Sequence, residues 1–65
     1  MSIQAGDKVK VQMGSQWYAG AYRRGWYVAV VESVYDTDNM GTRVDVVSKT
    51  LGRIKSCDPS CVRAV

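Results

Sequence analysis

Histidine is absent from the 65 residues, so the side chain that most often moves protons near neutral pH is missing. No Ser–His or Cys–His pair can therefore form within the chain. The two cysteines, Cys57 and Cys61, stand in C-x-x-x-C spacing. A thioredoxin-like dithiol needs a two-residue gap and a βαβ setting, and a structural zinc site needs about four Cys/His ligands. A Cys57–Cys61 disulfide would close a very short loop and restrain little. Two reduced, part-buried thiols packing the end of the domain are expected instead. Asp36 and Asp38 flank Asn39 in a turn-like stretch, but no bidentate Glu follows at calcium-loop spacing. No glycine-rich loop leads into a helix to cradle phosphate. The expectation is a non-enzymatic chain with no catalytic residue, cofactor or metal ligand.

The residues that stand out are suited to binding. Between Gly14 and Gly25 the chain carries Trp17, Tyr18 and Tyr22 together with Arg23 and Arg24. Aromatics and arginine dominate binding hot spots, because they bury much area at small entropic cost and direct their donors. Trp26 and Tyr35, at the two ends of the next apolar run, complete this ligand-binding set. The competing use for the aromatics is as lids on a small core. A second constellation, Lys8, Lys10, Arg23, Arg24, Arg53 and Lys55, would form a basic stripe around stacking aromatics if the fold gathered it. The net charge is only +3, from nine Lys/Arg against six Asp/Glu. A protein or peptide partner is favoured on this balance, with nucleic acid as the alternative.

The elements that must position these groups read as strands. Asp7 to Met13 alternates strictly, with Val9, Val11 and Met13 on one face and Lys8, Lys10 and Gln12 on the other. Residues 14–25 hold three glycines and aromatics without a regular period, which predicts a long loop or an irregular hairpin. Trp26 to Tyr35 (WYVAVVESVY) is the strongest strand, with Tyr27, Ala29 and Val31 inward. A bulge near Glu32-Ser33 would return Val34 to the core. Asp36 to Gly41 is a turn by composition, and Thr42 to Val47 alternates again with Val44 and Val46 inward. A tight turn at Lys49 to Gly52 leads to a fourth strand, Arg53 to Ser56, with Ile54 inward. Asp58-Pro59-Ser60 predicts a 3₁₀ turn, and Cys61 to Val65 a last short strand.

Composition agrees. Apolar residues make up 46% and charged residues 23%, Leu51 is the only leucine, and phenylalanine is absent. Valines, two tryptophans and four tyrosines supply the apolar bulk, and such residues favour strands. A chain this short makes one domain, here residues 1–65, near the lower size limit for folding without staples. Met1 to Gly6 lacks the apolar segment of a signal peptide, and no stretch is long enough to span a bilayer. A cytoplasmic protein without membrane contact is expected.

Five short strands with a 3₁₀ turn before the last match an all-β, five-stranded SH3-like barrel. From Trp26 onward the chain resembles Tudor and Agenet domains. WYVAVVESVY is similar to their second strand, TRVDVV to their third, and LGRIKS and DPSCVRAV to their fourth strand and 3₁₀-plus-fifth-strand ending. With GDKVKV as first strand, the likeness covers most of the chain outside residues 14–25. It implies an aromatic cage for methylated lysine or arginine, held by cation–π attraction. Residues 43–52 hold no aromatic, so such a cage would draw on Trp17, Tyr18, Tyr22 or Trp26 with Tyr35. The same segments are similar to the plasmid-encoded type II dihydrofolate reductases, small barrels that assemble around a shared pore. Where those carry Val-Gln-Ile-Tyr on the fourth strand, this chain has Arg53-Ile54-Lys55-Ser56, whose cations would repel across a symmetric pore. The expected state is a monomer or a small homo-oligomer.

Overall fold

The computed structural model describes residues 3–65; Met1 and Ser2, which begin the stretch read above for a signal peptide, lie outside the described residues. The alternating patterns become strands β1 (Lys8–Tyr18), β2 (Ala21–Thr37), β3 (Gly41–Ser48), β4 (Gly52–Cys57) and β5 (Val62–Ala64). All pairings are antiparallel, in one five-stranded sheet of order β4-β3-β2-β1-β5. No helix among the described residues is long and apolar enough to cross a membrane.

The stretch read as a long loop is a continuation of the hairpin. Strand β1 runs on past Met13 to Tyr18, and β2 begins at Ala21, so only Ala19 and Gly20 turn the chain. Both have positive φ, 53° and 79°, the pair of left-handed residues that a tight hairpin of matching twist requires. The glycines that suggested a loop serve this ribbon differently. Register shifts between Met13 and Gln16, where Ser15 (φ 42°) lies, and Gly25 (φ 92°) stands opposite Met13. A bulge there bends the ribbon without ending it.

The inner face carries the core. Val9, Val11, Met13, Ala29, Val31, Val44, Val46, Leu51 and Val62 are buried, and Tyr27, Ile54 and Cys57 pack against them. Seven of these core positions, on the first three strands, follow the alternation read from sequence. Leu51 does not. It lies in the β3–β4 turn, its N–H donates to Ser48 Oγ at 3.2 Å, and its side chain is 3% exposed. The expected bulge is present as a register shift between Val31 and Ser33, and it sets Val34 opposite Val44. Val34 nevertheless stays 38% exposed, so the expectation that it joins the core is corrected. The 3₁₀ turn spans Pro59–Cys61, with Asp58 as its cap accepting from the Ser60 N–H. Val62 then seals the core from β5, which pairs with β1.

Candidate functional site: the outer face of the hairpin

Burial alternates without a break along β2 from Ala21 to Glu32. Tyr22, Arg24, Trp26, Val28, Val30 and Glu32 therefore line one outward row. Register fills in the neighbours. Lys8 stands opposite Val30, Lys10 opposite Val28 and Gln12 opposite Trp26 on β1, while Val47 of β3 stands opposite Val30. On β5, Arg63 stands opposite Lys10. Valines thus occupy the solvent side of the sheet: Val28 is 49% exposed, Val30 47% and Val47 39%. Apolar residues side by side on an outward face are the informative kind of exposure, unlike a lone surface valine.

Two shallow grooves cross this face and share Trp26. The larger, of about 520 Å³, has Val28, Val30 and Val47 in its lining, with Lys8 and Lys49 beside them. The smaller, about 300 Å³, is lined by Lys10, Trp26, Arg63, Ala64 and Val65. No Asp or Glu side chain lines either one. Glu32 continues the same outward row, but its carboxylate lies 3.1 Å from the Arg53 guanidinium. Among the described residues, Lys8, Lys10, Lys49 and Arg63 make no ion pair.

Two further carboxylates, Asp45 and Asp58, are engaged in structure. Asp45 accepts from the Ser56 N–H at 2.8 Å, the Tyr35 hydroxyl at 2.9 Å and the Ser33 hydroxyl at 3.3 Å. The Ser56 N–H above all, then the two hydroxyls and nearby Lys55, hold its carboxyl below the ordinary aspartate range, against an opposing cost of desolvation. Asp58 is lowered too, first by the Ser60 N–H, then by the Ser60 hydroxyl and Arg43. Cys57 moves the other way. Partial burial, then the nearby charge of Asp45 and the neighbouring Cys61, push its thiol up and away from the reactive thiolate. Among the described residues, no group of three or more His, Cys, Asp or Glu is placed to hold a metal ion.

The fold separates the residues expected to bind. Trp17 and Tyr22 meet edge to face at the hairpin tip, ring centres 6.4 Å apart and planes at 77°, and both are strongly exposed. Tyr18 is partly buried against the core, its hydroxyl 3.4 Å from the Arg53 carbonyl. Arg23 folds onto the ribbon, donating to the carbonyls of Tyr18 (3.0 Å) and Ala19 (3.1 Å). Its neighbour Arg24 points outward in the row with Trp26. Tyr35 lies near the far end of β2, bonded to Asp45, rather than with Trp17, Tyr22 or Trp26. The expected basic stripe is split as well. Lys8, Lys10 and Arg24 lie on the outer face without an ion pair among the described residues, Arg53 opposite Val47 is paired with Glu32, and Lys55 neighbours Asp45. Val28, Val30, Val47, Lys49 and Arg63 belong to this face and were not singled out from sequence. Comparison with protein families, curated proteins and solved structures finds no match to this chain.

Proposed function

We propose that this chain is a non-enzymatic binding module, a small SH3-like barrel that holds a protein or peptide partner on the outer face of its β1–β2 hairpin. The barrel reading is supported by the strand order, by the 3₁₀ turn before β5, and by the reach of the Tyr18 hydroxyl from the hairpin to Arg53 on β4. The observation that carries the functional reading is the row of exposed Trp26, Val28 and Val30 with Val47 beside it, bordered by charge. An apolar centre with a polar rim is the anatomy of a protein interface. The Tudor-like cage and the reductase pore receive no such support: the candidate cage rings are spread along β1 and β2, and β4 carries Arg53 and Lys55.

A second reading, nucleic-acid binding, has its own support in the cations Lys8, Lys10, Arg24 and Arg63 on that same face. Affinity capture from native extract, run with and without nuclease, separates the two. A protein retained after nuclease treatment, and lost when Val28 and Val30 are both changed to Ser, supports the proposal. Loss of all captured material on nuclease treatment transfers the face to nucleic acid. Capture undiminished by Val28→Ser/Val30→Ser removes the face from consideration.

A further inference from the structure

We infer that the partner is an acidic polypeptide segment whose apolar side chains enter the Val28–Val30–Val47 groove while its carboxylates meet Lys8, Lys10, Lys49 and Arg63. The inference rests on the protein-binding reading and specifies the partner's chemistry. It begins from where the charges lie. Lys8 and Lys49 line the larger groove with the three valines, and Lys10 and Arg63 line the smaller one, with Trp26 common to both. These cations have no ion-pair partner among the described residues, and the one acid in the outward row, Glu32, is held by Arg53. A neutral apolar segment would leave this rim unanswered.

A second copy of the chain fits poorly. A two-fold contact through this face would bring the same four cations toward their own equivalents, with no Asp or Glu side chain of either groove to offset them. Nucleic acid satisfies the cations but not the floor. Bases need open ring faces, whereas the outward floor is of valines, Tyr27 packs against the core, and the Arg63 guanidinium lies over the Trp26 ring at 4.7 Å. The exposed pair at the tip, Trp17 and Tyr22, stands edge to face and so presents no flat double platform. Leucine or phenylalanine anchors between glutamates or aspartates answer both the floor and the rim.

The test uses the full chain and three short synthetic peptides in which leucine and phenylalanine are separated by glutamates, by glutamines or by lysines, with oligothymidylate as a fourth probe. Binding is followed by methyl NMR shifts of Val28, Val30 and Val47 and by tryptophan fluorescence. Several exposed charge contacts together should make the glutamate peptide about tenfold tighter than the glutamine peptide. That advantage should shrink as salt rises. The Lys8→Glu/Lys49→Glu variant, both side chains being exposed, should reverse the preference toward the lysine peptide. Equal binding of the glutamate and glutamine peptides overturns the inference and leaves the protein-binding reading standing. Oligothymidylate binding more tightly than any peptide, or no peptide shifting these methyls, overturns both. Should the double variant fail to fold, the salt dependence of the unaltered chain decides the same question.

Discussion

Arg63 on β5 holds its guanidinium carbon 4.7 Å from the centre of the Trp26 ring on β2, reaching across β1 to do so. The contact pins a short edge strand to the middle of the sheet. An exposed cation–π pair of this kind is worth about 0.5–1 kcal/mol. Arg63→Ala should lower stability by about that amount, and Trp26→Leu by a comparable or larger one. In urea unfolding the double variant should lose less than the sum of the two single variants. Strict additivity would show that the two side chains are neighbours without being coupled.

The hairpin tip makes a separate prediction. Ala19 is held at φ 53° immediately before Gly20 at φ 79°. A side chain with a Cβ is costly in that region, by about 1 kcal/mol, and asparagine tolerates it better. Ala19→Asn should therefore raise stability by about 0.5–1 kcal/mol, and Gly20→Val should lower it by at least as much. Thermal melts of the two variants should move in opposite directions. A fall in stability with Ala19→Asn, or no loss with Gly20→Val, would mean that the turn is not of this type.

The same turn shows how far the sequence could be read. Strict alternation over Asp7 to Met13 and Thr42 to Val47 assigns those strands and their inward valines, because period two has no competing explanation there. Ala19-Gly20 carries no Asn-Gly or Asp-Gly signature, so the ribbon on either side of it reads as a loop. WYVAVV guides only one face: alternation places Tyr27, Ala29 and Val31 inward, as observed, but singles out nothing on the other side. Apolar residues on both faces ordinarily mark a strand covered on both sides. Among the described residues no second layer covers the sheet's outward side, so Val28 and Val30 remain 49% and 47% exposed. The face proposed for binding was therefore left unnamed, although the alternation already set Val28 and Val30 on the outward side. Lys49 and Arg63 join it only through the β3–β4 turn and the pairing of β5 with β1, contacts distant in sequence.

Leu51 tests how little reserve the core holds. It is the one buried side chain of the β3–β4 turn, and truncating a buried leucine costs about 2–5 kcal/mol. A core of this size supplies a net of only about 3–5 kcal/mol. Leu51→Ala should accordingly leave a large unfolded fraction at room temperature, seen as lost amide dispersion in NMR spectra. Lys49→Ala, two residues earlier and exposed, should be close to neutral and serves as the control.

Acid should weaken the fold through Asp45. The Ser56 N–H first, then the Tyr35 and Ser33 hydroxyls, lower its pKa in the folded state. A group lowered on folding stabilises the protein above its unfolded value, near pH 3.9, and that contribution fades as pH falls through the lower folded value. The Tm should thus hold level through neutral pH and fall progressively below about pH 4. Asp58 is lowered in the same direction by Ser60 and Arg43, so it adds to the same acid limb. Asp45→Asn should flatten the limb without abolishing it, at the expense of some stability at neutral pH. Its carbonyl oxygen can still accept from Ser56 and Tyr35, but without the charge that strengthens those bonds. An unchanged acid limb in Asp45→Asn would show that the β2–β3–β4 bonding network is not held by this carboxylate's charge.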